Sequence, residues 1–481
     1  MKRLVHAILG SALVLVTFWL AAPPAKAQFA YLPVLQNGHL PLCRLGINGT
    51  LGSYPLKPLR LGWYLDYGAG SGPRPREMLA YYPMLRLDQT GNGGYTYSLS
   101  EFGAPITPDE LRAHVNTKRG TYWFIGNEPD RIIFQDDIDP NVYAQAYHEL
   151  YNIIKTQDPS AKIVAGAIVQ PTPLRLQYLD IVLNTYSQLY GQPMPVDVWA
   201  FHNFILNEAS CEVFGPDQCW GAGIPPGVDA SEGLRIDAQE NDSIELFKQQ
   251  VIRFRQWMAD RGYRNTPAFL SEFGVLIPKN LGYDPEFDET RVNNFMNATF
   301  DFLLNTTDPN IGYPGDENRL VQRFAWYSVD DNVDHNGFLF DRNLSPQSAR
   351  TVMGDNFVNY ANSMGRVIDF FPSDLHVVGT PVVNQGTADV TLEVTVGNTG
   401  NLAAEIPATV RFFNGNPNSG GEQIGSDKTV GLQGCGEQGN VSIEWESVPS
   451  GNYTVFVQVL ATPGAEADQS DNLSSVAVAI P

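Results

Sequence analysis

Eight runs of this chain are dense in Val, Ile, Leu, Phe, Tyr or Trp and nearly free of charge: residues 44–48, 61–67, 81–87, 122–127, 162–168, 196–204, 268–273 and 323–329. Runs of that length and composition read as strands buried on both faces. Helical patterns alternate with them. Thr107-Pro108-Asp109-Glu110 has the form of a capping box with proline at the first helical position, opening a helix toward Lys118. Residues 141–157 put Val142, Ala146, Leu150, Ile153 and Ile154 on one face. Asp242 with Glu245 is expected to cap a further amphipathic helix through Met258, and Ser345-Pro346 to open another that runs to about Met364. Strands alternating with helices over 44–366 predict an α/β fold, a (β/α)8 TIM barrel, with the first two helical connections the least marked.

The pattern changes after Phe371-Pro372-Ser373. From Asp374 on, alternation takes over, and residues 390–396, 408–413, 441–445 and 453–460 read as strands separated by Gly, Asn, Ser and Pro. No helical period occurs there, so 374–481 is expected to be an all-β sandwich.

The chain opens with Lys2 and Arg3, an apolar run from Ala7 to Ala22, and Ala25-Lys26-Ala27. That order reads as a signal peptide over 1–27 followed by a linker over 28–43, and hence as a secreted protein; an uncleaved anchor is the rival reading. Formal net charge is −21, and losing Lys2, Arg3 and Lys26 with the signal brings it to −24 (−21 minus 3). Such a surface repels nucleic acid and anionic membrane and suits a neutral substrate. Of the four cysteines, Cys211 and Cys219 bracket a short loop and are expected to pair in an oxidising compartment. Cys43 and Cys435 are either two unpaired thiols or an interdomain bridge. The bridge is sterically open, because the last barrel helix ends at the face opposite the active site, where Cys43 also precedes the first strand. The cysteine spacing does not resemble a zinc site.

The chemistry lies at the ends of two strands. Tyr122-Trp123-Phe124-Ile125-Gly126-Asn127-Glu128-Pro129 and Ala268-Phe269-Leu270-Ser271-Glu272-Phe273-Gly274 each carry a glutamate at the end of an apolar run. A glutamate so placed is costly to desolvate unless something uses or pairs it. On this count the strands are the fourth and seventh, and barrel active sites lie at the C-terminal strand ends. Asn-Glu-Pro there, with a glutamate on strand seven, resembles the retaining glycoside hydrolases of clan A. Adding Tyr82-Pro83-Met84-Leu85, Asp130, Ala200-Phe201-His202 and Ser271-Glu272-Phe273, the run over about 44–366 is most similar to the family 128 glycoside hydrolases, endo-β-1,3-glucanases. The resemblance implies a catalytic pair, Glu128 as acid/base with a raised pKa and Glu272 as nucleophile. It implies that Asn127 bonds the sugar 2-hydroxyl, that His202 orients a carboxylate or binds sugar, and that Trp326 forms a sugar platform. Trp63, Tyr64, Asp66 and Tyr67 could line further subsites or belong to the core, and Arg86 could face the cleft or cap the barrel. Asn332-Val333-Asp334-His335-Asn336-Gly337 begins like a calcium loop, but the closing glutamate falls at Asn343, so a solvated loop is expected. No metal and no cofactor is expected.

The turn Asn398-Thr399-Gly400, the strand start Gly451-Asn452-Tyr453 and the acidic stretch Asp468–Asn472 resemble the bacterial CARDB module, an immunoglobulin-like domain related to cell adhesion. The resemblance implies a spacer or adhesion role and cell-surface association. The expected function is therefore a secreted retaining β-glycosidase acting on a polysaccharide or oligosaccharide. The alternatives are a non-catalytic glycan-binding or adhesion protein, or a clan A enzyme of other specificity.

Overall fold

The computed structural model describes residues 40–69, 79–133, 135–209, 221–331, 335–365, 367–461, 466 and 468–481. The expected signal peptide, the linker as far as residue 39 and the Cys211–Cys219 pair lie outside the described residues. Pro41–Pro481 form one compact unit; of the other, Met1–Leu40, only Leu40 is described.

The apolar runs become strands of one ten-stranded sheet. They are β1 (Leu42–Asn48), β2 (Leu61–Leu65), β3 (Ala80–Tyr81), β4 (Met84–Gln89), β5 (Tyr95–Ser98), β6 (Tyr122–Ile125), β7 (Lys162–Ile168), β8 (Val198–His202), β9 (Ala268–Phe273) and β10 (Arg323–Trp326). Their order is β3-β2-β1-β10-β9-β8-β7-β6-β4-β5, and every pairing is parallel except β4 with β5. All residues of β1, β2, β8, β9 and β10 are buried, as their unbroken apolar composition requires.

The expected third strand is split. Tyr82 and Pro83 separate β3, which pairs with β2, from β4, which pairs with β6. Proline has no N–H to give the ladder, yet the Pro83 carbonyl still accepts from Phe124 N at 2.9 Å, and Tyr82 N donates to Tyr64 O at 2.9 Å. The sheet also curls on itself. Trp63 of β2 lies 6.0 Å from Phe269 of β9 between ring centroids, and both belong to one core cluster with Tyr82, Met84, Phe124, Val164, Ala200 and Ala325. Gly46 makes room for this packing, since a Cβ there would come within 2.4 Å of the Trp63 indole.

The outer helices are Pro108–Asn116, Pro140–Gln157, Pro173–Tyr190, Ile244–Asp260, Glu289–Asn305 and Val352–Ser363. The Thr107–Glu110 capping box forms as expected. Two other helix starts differ. Ser243 rather than Asp242 caps its helix, accepting from Leu246 N, while Asp242 pairs with Arg291 at 2.6 Å. The last helix starts after Thr351, not at Ser345-Pro346. Between β1 and β2 the described residues hold only a 3-10 turn, Lys57–Leu59, which accounts for the weak marking of that connection. No helix among the described residues is long and apolar enough to cross a membrane.

Beyond β10 come β11 (Asp330–Asp331) and β12 (Phe340–Asp341), a short pair, and then the all-β part. One sheet holds β13 (Phe370–Val377), β14 (Val383–Asn384), β15 (Thr387–Asn398) and β18 (Glu437–Pro449). The other holds β16 (Ile406–Asn414), β17 (Glu422–Leu432), β19 (Gly451–Leu460) and β20 (Leu473–Ile480) in the order β17-β16-β19-β20. Val390, Leu392, Val394 and Val396 are buried at alternate positions of β15, and Val455, Val457 and Val459 of β19 do the same from the second sheet. Phe371-Pro372-Ser373, read as a boundary, lies inside β13, an edge strand where proline is tolerated.

The all-β part sits at the N-terminal ends of the parallel strands. Cys43 is disulfide-bonded to Cys435, so of the two readings the bridge is the one formed. Beside it Arg44 makes a two-pronged ion pair with Asp316, both contacts 2.8 Å, and donates to Thr399 O at 3.0 Å.

Candidate active site

Three side chains meet at the opposite, C-terminal ends of the strands. Glu128 follows β6, His202 is the last residue of β8, and Glu272 is the fifth residue of β9. The turn after β6 is sharply bent: Gly126 has φ 82°, and Glu128 itself has φ 43°. A non-glycine residue in that left-handed region costs on the order of 1–3 kcal/mol and persists only where its surroundings enforce it. They do so here. Glu128 N donates to Ala167 O at 3.0 Å, and Asp136 Oδ2 accepts from Asn127 N at 2.8 Å and Leu87 N at 3.0 Å. Arg86 Nε donates to the other oxygen of Asp136 at 2.6 Å. On the far side Asp130 is gripped by the fully buried Arg175 (Nη1 to Oδ2, 3.0 Å), which also holds Glu208 at 3.1 Å and the carbonyls of Ala222 and Gly223.

His202 bridges the two glutamates. Its Nδ1 lies 2.9 Å from Glu128 Oε1 and its Nε2 lies 3.4 Å from Glu272 Oε1. One oxygen from each glutamate and one ring nitrogen all fall within 4.8 Å of one another. Only the contact to Glu128 is a hydrogen bond; the one to Glu272 is a longer approach of two buried polar atoms. Around the trio is a cleft of about 230 Å³ lined by Tyr67, Arg86, Glu101, Arg131, Gln135 and Tyr327 among others.

The electrostatics run opposite to the expectation that Glu128 is the raised acid. Burial works to raise Glu128, but the Arg131 guanidinium, 3.1 Å from Oε2, and the His202 imidazole outweigh it and bring the group down to about 2. Glu272 is pushed up to about 7 by burial and by the charge of Glu128, against His202, Arg86 and Arg131. His202 is raised although burial opposes its charge, because Glu272 and Glu128 flank it. Tyr67 faces Glu272, and burial with that charge lifts its hydroxyl well above 10. Asp136 is pushed up to about 6 by burial, partly offset by Arg86.

The sequence-predicted residues divide. Asn127, Glu128, His202 and Glu272 come together; the Asn127 amide donates to Gln135 at 2.9 Å, and its buried Oδ1 has no hydrogen-bond partner among the described residues. Arg86 faces the cleft. Trp326 offers no platform: it is fully buried, packs edge-on against Phe273 and Phe300, and donates to Gly337 O at 2.7 Å. Its neighbour Tyr327 lines the cleft instead. Trp63 is core, stacked on Tyr82 with centroids 5.0 Å apart. Asp66 accepts from Tyr81 OH at 2.7 Å and is not on the cleft wall, whereas Tyr67 is. Residues 332–334 of the calcium-like loop lie outside the described residues. Asn336 is buried rather than solvated, its amide donating to the Ile277 and Phe287 carbonyls at 2.9 and 2.8 Å. Sequence reasoning missed Arg131, Gln135, Glu101, Asp136, Arg175 and Tyr327.

No protein-family model matches the chain, and no curated protein matches it. Among solved structures it is similar to a glucosidase from Croceicoccus marinus, at 10% identity over 86% of this chain and 96% of that one, with a TM-score of 0.42. It is similar to a monomeric beta-xylosidase from Caulobacter crescentus at 10% identity over 83% and 94%, TM-score 0.42. Over 24% of its length it is similar to the CARDB domain of a Pyrococcus furiosus protein, at 18% identity over 90% of that domain, TM-score 0.19. None of these likenesses reaches a TM-score of 0.5, so the functional reading rests on the site.

Proposed function

We propose that this chain is a retaining glycoside hydrolase, with its curled sheet read as a (β/α)8 barrel whose third strand is interrupted at Pro83. The carrying observation is the pair of buried carboxylates at strand ends, with oxygens within 4.8 Å of each other. Retaining enzymes hold their two carboxyl groups about 5–5.5 Å apart, whereas inverting ones leave about 6.5–9.5 Å for a water. In this reading Glu128 protonates the leaving oxygen and then activates water, and Glu272 attacks the anomeric carbon to form a glycosyl-enzyme. The contact of Asn127 with a sugar 2-hydroxyl is what the clan A resemblance suggests, and its buried Oδ1, without a partner among the described residues, supports it. The family 128 resemblance suggests a β-1,3-glucan as substrate, and the CARDB-like module a spacer or surface-attachment role. Secretion is supported by the Cys43–Cys435 disulfide, which persists in oxidising compartments.

One observation favours a second reading, a glycan-binding protein without turnover: Arg131 holds Glu128 ionised, which is not the state an acid needs. Reducing-sugar release from laminarin, xylan, mannan and cellulose by wild type and Glu272→Ala separates the two. The enzyme reading expects release on one polymer that the variant abolishes. Silence on every polymer with retained binding to one would favour the binder.

A further inference from the structure

The contacts of the two glutamates favour a carboxylate on Glu128 over one on Glu272, the reverse of what retaining hydrolysis requires, and His202 lies between them. Both oxygens of Glu128 are held by donors, Oε1 by His202 Nδ1 at 2.9 Å and Oε2 by Arg131 Nη1 at 3.1 Å. Among the described residues Glu272 has no such cation at hydrogen-bond distance: its buried Oε1 lacks a hydrogen-bond partner there and stands 3.4 Å from His202 Nε2, itself buried and likewise without one. Arg131 sits in the turn that begins at Glu128 and lines the cleft, and its other terminal nitrogen reaches Gly221 O at 3.2 Å. About a fifth of its side chain is exposed, so a sugar entering the cleft meets this guanidinium.

Resting on the glycosidase reading, we propose that Arg131 keeps Glu128 as a carboxylate in the empty site, and that substrate displaces it so that a proton passes from Glu272 through His202 to Glu128. The step balances. At rest Glu272 is protonated, His202 is neutral with its proton on Nδ1, and Glu128 is ionised. When the guanidinium leaves, the Nδ1 proton moves to Glu128 Oε1 and the Glu272 proton moves to Nε2. Glu272 becomes the ionised nucleophile, Glu128 the acid, and His202 the other neutral tautomer, with total charge unchanged. The resting state agrees with Glu128 lying low and Glu272 high; the rise of His202 comes, against burial, first from an ionised Glu272 and lapses when Glu272 carries the proton. Of the other groups facing the pair, Arg86 and Tyr67 favour an ionised Glu272 and the Asp130 charge disfavours an ionised Glu128, so once Arg131 leaves they bias the pair toward the working state. Arg131 is therefore a positioning residue that acts through Glu128.

The test is infrared difference spectroscopy of the protonated carboxyl in the full-length empty protein at about pH 6, which needs no turnover. The wild-type signal should vanish in Glu272→Gln, and in Glu128→Gln it should titrate away at lower pH, because the charge that helps raise Glu272 is gone. In Arg131→Gln the Glu128 titration should move up by roughly 1–3 units, the usual effect of a guanidinium on a neighbouring carboxyl. Arg131→Lys, which keeps the charge, should stay with wild type, and matching melting curves exclude a folding defect. A wild-type signal that belongs to Glu128, or an Arg131→Gln titration that does not move, would overturn the proposal. Failure of the glycosidase reading is seen separately, as wild-type silence on the polymer panel. With turnover present, the basic limb of kcat/KM should rise in Arg131→Gln and not in Arg131→Lys; a fall in kcat with unmoved limbs would mean a merely structural role.

Discussion

Replacing Arg175 by Met should cost the protein a large part of its stability. The guanidinium is fully buried and donates to Glu208 Oε1 at 3.1 Å, to Asp130 Oδ2 at 3.0 Å, to the Asp130 carbonyl, and to the Ala222 and Gly223 carbonyls at 2.5 and 2.7 Å. Methionine fills much of the same volume but pairs with none of them. Asp130 and Glu208, both fully buried, would then lose their shared cation. Breaking a buried ion pair from one side costs about 3–5 kcal/mol, and with two carboxylates stranded the upper end applies. Against a typical total of about 5–15 kcal/mol that is a severe loss. Glu208 keeps Thr172 Oγ1 at 2.5 Å and Gln170 Nε2 at 3.1 Å, which limits the effect and argues against complete unfolding. The assay is urea denaturation of wild type, Arg175→Met and the triple variant that adds Asp130→Asn and Glu208→Gln. The triple variant should recover part of the loss, because neutral amides are cheaper to bury than unpaired charges. A loss below about 1 kcal/mol in the single variant, or no recovery in the triple, would refute the reasoning.

Three further outcomes are expected. The Cys43–Cys435 bridge spans a sequence separation of 392, for which loop-closure entropy gives a ceiling of about 6 kcal/mol, so the double alanine variant should unfold at distinctly lower urea than the oxidised wild type. Asp136→Asn loosens both Arg86 and the Asn127 backbone; turnover should fall while the melting temperature drops less than in Arg175→Met, as enzyme assay and calorimetry would show. Burial pushes Glu272 up to about 7 and Asp136 up to about 6, above the ordinary carboxylate range, and the flanking glutamates raise His202. Stability from raised groups is full below the unfolded pKa and is lost as pH rises through the folded one, whereas the lowered Glu128 matters only below about 4.5. The melting temperature should therefore be higher near pH 5 than near pH 8, and the reverse order in scanning calorimetry would contradict this.

Much of the fold was legible because burial on both faces leaves an unmistakable composition. Lys162–Ile168 and Ala268–Phe273 were bounded correctly from that signal alone. The helix Pro173–Tyr190 was not seen, because its periodicity is blurred: Arg175 is buried in it while Leu189 is exposed. The strand β17 was missed since most of its residues face solvent and are polar or glycine. At the site, the glutamates stood out as charges ending apolar runs, and His202 as the polar end of an aromatic one. The choice of Trp326 over Tyr327 failed on strand alternation, where a step of one residue exchanges the cleft face for the helix face. Arg131, Gln135 and Asp136 lie in a loop with no periodicity, and only the folded turn after Glu128 brings them to the carboxylates.

The most direct measurement is peptide mass spectrometry after incubation with a panel of activated 2-deoxy-2-fluoro-β-glycosides, which trap the covalent intermediate of a retaining enzyme. The account predicts one glycosyl adduct, on the peptide that carries Glu272. An adduct on Glu128, or inverted anomeric configuration in the first product seen by NMR, would contradict it.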